Sequence, residues 1–177
     1  MTPQPPETTY CPKGLTPEEW IRAERVLQQA PFAFFSMIDH GRPYVVPMNY
    51  AYEQSPGGEA PTVARDAVAP RLIFHTGEGR KSAALAAHPH ICAAVTTGET
   101  FVQGDTPCAD GYAFESVLVE GSAAPVMDDS ERACALRAIV AKYDPAANDR
   151  PFDVTVLSKT QVYELVIEKV GYRELAG

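Results

Sequence analysis

RLIFHTGEGRKSAALAAHPHICAAV, residues 71–95, is the stretch that decides the fold. It starts as an apolar run, RLIFHT, which is typical of a buried strand, and leaves that strand through a Gly-Glu-Gly turn. A short helix over residues 79–88 follows and ends at Pro89. The next residues, HICAAVTT, return to a strand pattern. The stretch therefore predicts strand, turn, short helix and strand in immediate succession.

The short helix opens with Arg80 and Lys81, although cations are disfavoured at a helix N-terminus, where the macrodipole already places positive charge. A negative group is therefore expected to compensate them. Gly77 and Gly79 let the backbone come close to a ligand, and the free N–H groups of the first turn suit a phosphate. Arg80 can bind phosphate oxygens with two hydrogen bonds, while Lys81 adds a point charge. On the residues alone two interpretations stay open, a phosphate site or two solvated surface cations.

Six strands and three helices are predicted along the chain, and they do not alternate as βαβ units. Because most connections resemble hairpins, the pattern favours a mainly β (α+β) fold, an antiparallel barrel or sandwich with peripheral helices. We expect an extended or disordered arm over residues 1–14, a single domain over 15–177, and long loops over 54–70 and 98–111. The strands are expected at residues 31–39, 42–53, 71–76, 90–97, 112–126 and 160–170.

Two further helices carry clear start signals. Thr16 is a plausible N-cap with Glu19 three residues later, and Pro31 stops the helix that follows. Asp128, with acidic residues just after it, opens the other helix, because negative charge stabilises a first turn. The apolar positions of this second helix are expected in the core: Leu136, Ile139, Val140 and Tyr143.

Pro47 lies in the middle of the predicted strand RPYVVPMNYAYE, residues 42–53. Proline lacks the N–H that a central ladder position needs. The strand is therefore expected to be an edge or to contain a bulge, or its backbone faces something other than another strand.

Composition and charge exclude several classes of partner. The chain has 23 acidic and 15 basic residues and no basic stripe, so a nucleic-acid partner is not expected. No apolar run is long enough to span a bilayer, and the first residues lack the order of a signal peptide. We therefore expect a cytoplasmic protein without a membrane partner.

Metal and nucleophilic chemistry have little support in the sequence. The four cysteines are far apart and form no C-x-x-C pair, and His88 and His90 have no further ligand type beside them. There is no G-x-S-x-G elbow. No metal site is expected.

Four segments of the chain resemble, in the same order, the FMN-binding split β-barrel proteins, which are the relatives of pyridoxamine 5′-phosphate oxidase. Within that family they are nearest to the nitroimidazole-resistance (Nim-like) branch. The resemblance covers roughly residues 16–170, and the strand, turn, Arg-Lys pair and short helix form its most specific part. The segments are PYVVPMNYAYE, RLIFHTGEGRKSAALAAHPHICAAV, YAFESVLVEGSAAPV and TQVYELVIEKVG. The resemblance implies a six-stranded antiparallel split β-barrel and a homodimer that holds FMN in a groove at the subunit interface.

The same resemblance assigns cofactor-binding residues. Arg80 and Lys81 match the positions that hold the FMN phosphate, and His75 and Thr76 match the strand end beside the cofactor. The strand whose backbone runs along the isoalloxazine ring matches Val46, Pro47, Met48 and Asn49. Ser116 would approach from the partner subunit.

His75 is the candidate catalytic residue, because an imidazole that ionises near neutral pH suits proton transfer or orientation of an acceptor. A structural role at the strand end is the equal alternative. The C-terminal strand lacks the Arg and His pattern with which the oxidases proper bind pyridoxamine phosphate, so vitamin B6 oxidation is not expected. Two hypotheses follow: an FMN-dependent oxidoreductase acting on a small flat acceptor such as a nitro-aromatic compound, or a non-catalytic flavin, haem or deazaflavin binding protein.

Overall fold

Seven antiparallel strands form one sheet in the computed structural model, which describes residues 14–54 and 69–175. The strands are β1 (Ala33–Asp39), β2 (Arg42–Met48), β3 (Tyr50–Glu53), β4 (Arg71–Thr76), β5 (His90–Val102), β6 (Gly111–Pro125) and β7 (Gln161–Leu175). Their order across the sheet is β2-β1-β5-β6-β7-β4-β3. The helices of the described residues are α1 (Pro17–Gln29), α2 (Arg80–Ala87), α3 (Asp129–Tyr143) and α4 (Val154–Lys159).

The two edge strands, β2 and β3, are consecutive in the chain and are separated by Asn49 alone. Residues 42–48 pair with β1, whereas residues 50–53 pair with β4 at the opposite edge. The sequence predicted one strand here, and the break adds the seventh strand because the two halves have different partners. A single segment thus joins both edges of the sheet, and the predicted split β-barrel with peripheral helices is confirmed.

The main core lies on the inner face of the sheet, beneath α1. Strand residues such as Phe35, Val119 and Leu165 are fully buried there together with Trp20 and Leu27 of α1. Burying a large apolar side chain contributes about 1.5–3 kcal/mol, so this cluster holds the helix on the sheet.

α1 begins where the sequence predicted. The Thr16 hydroxyl accepts from the Glu19 N–H, and the Glu19 carboxylate accepts from the Thr16 N–H at 2.8 Å. This capping box satisfies two N–H groups that a helix start otherwise leaves free. α1 ends at Gln29, so Pro31 lies just beyond its C-terminus.

α3 packs a second, smaller core on the other side of β3 and β4. Asp128 caps it by accepting from the N–H groups of Ser130 and Glu131, as the sequence predicted, and Leu136 and Ile139 are buried. Tyr143 was expected in the core as well, but it remains 37 % exposed. The sequence predicted no helix at α4, and its Leu157 packs against this second core.

The β5–β6 hairpin is longer than predicted. After a register shift at residues 97–100, Thr100–Val102 pairs with Gly111–Ala113, so the expected loop over 98–111 shortens to residues 103–110. Gly98 has a φ of +73°, a backbone conformation that favours glycine and that lets the strand resume beyond the bulge.

A β-bulge is present at Gly121, as a register shift between β6 and β7. A Cβ atom at Gly121 would lie 1.9 Å from the Val166 carbonyl oxygen, so the bulge requires glycine. The predicted arm over residues 1–14 and the predicted loop over 54–70 lie almost entirely outside the described residues.

None of the helices that the structure describes is long and apolar enough to span a bilayer. Within residues 14–54 and 69–175, no three histidine, cysteine or acidic side chains come together as metal ligands.

Candidate cofactor site

The turn between β4 and α2 is built by glycine and serine. Gly79 has a φ of +141°, which a residue with a side chain rarely adopts. The Ser82 hydroxyl accepts from the Gly79 N–H and donates to the Gly79 carbonyl, both at 3.0 Å. Since glycine has no capping side chain, Ser82 closes the turn from inside the helix. The first N–H groups of α2 therefore belong to an ordered turn.

Arg80 has the negative partner that the sequence required. Its Nε donates to Asp39 Oδ2 at 2.6 Å, across 41 residues of chain. Its guanidinium also lies 4.0 Å from the centroid of the Tyr44 ring on β2. The Arg80 side chain is 60 % exposed while that of Asp39 is 15 % exposed, so one side of the guanidinium remains open to solvent.

Lys81 lies close enough to His75 to affect its ionisation. Partial burial of the imidazole lowers the pKa of His75, and the positive charge of Lys81 lowers it further. The residue as a whole stays exposed, so its ring is reachable from solvent while it is neutral at pH 7. Lys81 itself forms no ion pair with a carboxylate of residues 14–54 or 69–175. Thr76 is buried, and its hydroxyl donates to the Gly77 carbonyl at 3.1 Å.

The predicted ring-contacting strand lies at the free edge of the sheet. β2 pairs with β1 on one side only, so Pro47 is at an edge, as the missing N–H predicted. Val46 and Met48 point inward against the core, whereas Pro47 and Asn49 are exposed. The Arg80–Tyr44 contact places α2 against this same strand. The structure thus brings the turn of residues 76–81 and the strand of residues 46–49 to one region.

Ser116 lies elsewhere on the same chain. It is on β6, three strands from β2, between Thr96 of β5 and Arg173 of β7. Its side chain shares the outer face of the sheet with Leu118, two residues further along. A cofactor contact by Ser116 therefore stays a prediction that requires a second subunit.

Several apolar side chains are exposed on the outer face of the sheet. Directly paired residues form a row across five strands, and large side chains on this face are exposed, including Phe34 at 45 %, Val45 at 54 % and Leu118 at 44 %. A contiguous exposed apolar face of this kind marks an interaction surface. The row consists of Pro47, Phe34, Ala94, Leu118 and Gly171.

A cleft of about 280 Å³ opens on this face near the start of β1. Phe32 and Phe34 line it with their rings 5.4 Å apart, and residues 96–99 form its other wall. It lies at the far end of β1 from Asp39, about 20 Å away for a strand of this length. The cleft is therefore not part of the Arg80 site within one chain.

Sequence reasoning missed Asp39, Tyr44 and Ser82. Asp39 and Arg42 are paired across the β1–β2 turn, so the hairpin prediction placed Asp39 at its tip without indicating which cation it meets. Ser82 could have been found, because serine three residues after a glycine cap can bond back to the cap backbone. The Tyr44 contact has no local signal, since it depends on how α2 packs against β2.

The fold is a mainly antiparallel split barrel. The candidate site is a glycine turn with two cations, which lies beside a free edge strand. The family model described as pyridoxamine 5′-phosphate oxidase matches residues 19–174. The chain belongs to this family, and the family predicted from the sequence is confirmed.

Solved structures with the same fold include two with different roles. A protein assigned to 5-nitroimidazole antibiotic resistance from Bacteroides thetaiotaomicron VPI-5482 is 24 % identical, with a TM-score of 0.66 over 86 % of this chain and 81 % of that chain. The flavocytochrome Anf3 from Azotobacter vinelandii is 22 % identical, with a TM-score of 0.70 over 92 % of this chain and 73 % of that chain.

A third structure, the FAD and heme binding protein from Mycobacterium smegmatis, is 19 % identical, with a TM-score of 0.70 over 89 % of this chain and 71 % of that chain. At these identities the likeness concerns the fold. No curated protein matches the chain.

Proposed function

We propose that this protein binds FMN and acts as an oxidoreductase on a small flat acceptor, such as a nitro-aromatic compound. The observation that carries the proposal is the contact of Arg80 with Asp39 and Tyr44, because it brings the start of α2 beside β2, the edge strand of the sheet. A ligand with a phosphate at one end and a flat ring at the other fits those two features together. Family membership and the flavin-binding proteins among the similar folds support the same ligand class.

Each part of the site has a defined task in this proposal. Arg80 and Lys81, with the first N–H groups of α2, hold the phosphate. The unpaired edge of β2 and the adjoining Asn49 offer backbone C=O groups, and N–H groups from residues other than Pro47, to the ring. Thr76 supports the strand end. When bound, FMN supplies reversible hydride and electron transfer.

His75 is the group placed to handle a proton. Because burial and Lys81 lower its pKa, the neutral imidazole predominates at pH 7, and its ring N–H can donate a hydrogen bond that orients an acceptor. A phosphate bound at Lys81 would offset the positive charge and make this base stronger.

We further propose a homodimer formed through the apolar outer face, with the cofactor at the interface. Pro47 of β2 lies on that face, so the ring-contacting strand reaches the proposed contact. Ser116 lies on the same face, so a second copy related by two-fold symmetry would present its own Ser116 to this site.

A second function keeps the same site without turnover. The proposed site relies on His75 alone for acid–base chemistry, which favours a flavin, haem or deazaflavin carrier as the alternative. The similar folds that bind FAD and heme favour the same alternative.

The visible spectrum of the purified protein tests the ligand. We expect flavin bands, and the mass of the ligand released by denaturation should be that of FMN rather than FAD or haem. A protein without these bands that also causes no spectral change when FMN is added would overturn the proposal. Steady-state assays with NADH or NADPH and nitro-aromatic acceptors then separate the two functions, since turnover removes the carrier.

The dimer is tested by Phe34→Arg, which places a charge within the apolar row. We expect the mass measured by light scattering to fall from dimer to monomer. Ile21→Arg is the matched control, because Ile21 is 62 % exposed on α1 and lies away from the outer face. A wild-type protein that is monomeric at micromolar concentration contradicts this part of the proposal.

A further inference from the structure

The hydroxyl of Tyr143, the last residue of α3, joins two distant points of the chain. It donates to the Pro31 carbonyl at 2.6 Å and accepts from the Tyr50 N–H at 3.1 Å. The Tyr50 carbonyl lies 3.2 Å from the same oxygen. Burial raises the pKa of Tyr143, so the hydroxyl keeps the proton that it donates.

Pro31 and Tyr50 flank the β1–β2 hairpin, which runs from Ala33 to Met48. One hydroxyl therefore closes the open end of that hairpin and links it to α3. Its neighbour Lys142 adds a second contact, with Nζ 3.6 Å from the centroid of the Tyr50 ring. Tyr50 itself is fully buried, and its own hydroxyl donates to the Leu27 carbonyl at 2.6 Å. Tyr50 is thus held through its backbone, its ring and its hydroxyl.

The position of this contact matters because the chain changes strand partner at Asn49. The residues before Asn49 pair with β1, whereas Tyr50, just after it, pairs with β4, which carries His75. No ladder joins β2 to β3. The distance between the strand of residues 46–49 and the end of β4 therefore depends on contacts made at the break itself.

We propose that Tyr143 is a positioning residue that sets the strand of residues 46–49 relative to β4, and so shapes the ring-binding half of the cofactor site. The inference rests on the proposed function, because it concerns how that site holds a flavin ring. Tyr143 touches neither the proposed phosphate-binding residues nor the exposed strand residues directly. It acts through Tyr50 and Pro31.

The two halves of the site give the inference a distinctive signature. Asp39, the partner of Arg80, is at the turn end of the hairpin, whereas Tyr143 binds its open end. Loss of the Tyr143 hydroxyl should weaken FMN and riboflavin equally, because both carry the ring. Loss of the cations at residues 80 and 81 should weaken FMN alone.

The test compares Tyr143→Phe with Tyr172→Phe in the full chain. Both changes remove one hydroxyl, and the Tyr172 hydroxyl donates to Glu115 at 2.6 Å on β6, away from the hairpin. Affinities for FMN and riboflavin are measured by quenching of flavin fluorescence. We expect Tyr143→Phe to weaken both ligands about ten-fold, the effect of one lost hydrogen bond, with their ratio unchanged. Tyr172→Phe should change either affinity by less than about two-fold.

Amide exchange at Tyr50 provides a readout that needs no ligand. Its N–H should be protected in the wild-type protein and should exchange about ten-fold faster in Tyr143→Phe, while Tyr172→Phe leaves it unchanged. Fast exchange of this amide in the wild-type protein, or wild-type flavin affinity in Tyr143→Phe, overturns the inference.

Failure of the proposed function has a different result. If the wild-type protein binds neither FMN nor riboflavin, the cofactor proposal fails and the positioning role for a flavin fails with it. Faster Tyr50 exchange in Tyr143→Phe would then still establish the contact at the strand break. If the wild-type protein binds FMN but Tyr143→Phe alters only the FMN-to-riboflavin ratio, the positioning role alone is wrong.

Discussion

The two ends of the β1–β2 hairpin are held in different ways. At the turn end, Asp39 meets Arg80 in an ion pair whose cation is 60 % exposed. At the open end, Tyr143 binds Pro31 and Tyr50 through a neutral hydroxyl, beside a fully buried ring. Exposed ion pairs contribute about 0–1 kcal/mol and exchange partners easily, whereas each hydrogen bond of a partly buried hydroxyl contributes about 0.5–1.5 kcal/mol and fixes two backbone groups. The turn end is suited to take up an anion, and the open end is suited to keep its geometry.

The largest effect should follow from Arg80→Ala combined with Lys81→Ala. Each charge-assisted hydrogen bond contributes about 1.5–3 kcal/mol, so FMN affinity should fall about 100-fold or more while riboflavin affinity changes little. Fluorescence titration measures both. The free energy of unfolding of the ligand-free protein should change by about 1 kcal/mol or less, because the ion pair is exposed.

The control for charge is Arg22→Ala combined with Lys159→Ala, which removes the same charge from α1 and α4. It should leave FMN affinity within about two-fold of wild type if the effect is local. Equal losses of FMN affinity in both double variants would mean that the net charge of the protein, and not a site at the turn end, determines the affinity.

A pH series tests Lys142, whose Nζ lies beside the Tyr50 ring at the open end. Burial lowers the pKa of Lys142 to about 8, so between pH 8 and 10 the unfolded chain binds more protons than the folded one. The free energy of unfolding of the wild-type protein, relative to that of Lys142→Met, should therefore increase as the pH rises from 8 to 10. The increase should be about 1 kcal/mol after allowance for the partial exposure of Lys142. Above pH 10 tyrosines ionise in the unfolded chain and lower the stability of both proteins alike, because burial raises the pKa of Tyr143, so the difference stays constant there. Chemical denaturation at each pH measures the difference, and a flat difference would contradict it.

Asp39→Asn should sharpen the contrast by weakening the turn end alone. The change removes a carboxylate that competes with phosphate for Arg80, so FMN affinity should rise about two- to three-fold. The free energy of unfolding should fall by less than about 1 kcal/mol. A marked loss of FMN affinity would instead mean that Asp39 orients Arg80 for the ligand.

The smallest effect concerns the ionisation of His75. Lys81→Gln removes a positive neighbour and should raise the pKa of His75, whereas Lys81→Arg should not. NMR titration of the imidazole protons measures the shift. The pKa of His75 is lower in the folded protein than in the unfolded chain, so the free energy of unfolding decreases as the pH falls below the ordinary pKa of histidine. This decrease should be smaller in Lys81→Gln.

Local signals explain what the sequence predicted correctly. The strand of residues 71–76, the glycine turn and the helix after it depend on neighbours in the chain, and so does the Thr16 cap. The edge position of Pro47 was one of the three alternatives that its missing N–H left open. These features need no knowledge of distant partners.

Long-range pairing explains the rest. The break at Asn49 arises because β1 and β4 compete for one segment, and no residue near 49 signals it. Tyr143 has the spacing of a core residue, yet its hydroxyl is needed 93 residues away at Tyr50. The partner of Arg80 was expected to be negative, but only the packed structure identifies Asp39.

The way both sheet margins end bears on how this chain can self-associate. β2 has proline at positions 43 and 47, and β3 is four residues long with its first backbone N–H already bonded to Tyr143. Neither margin offers a long row of free donors to an incoming strand, so fibril-like growth by strand addition is obstructed. Association through the outer face, as proposed above, would therefore form closed pairs and not open-ended polymers.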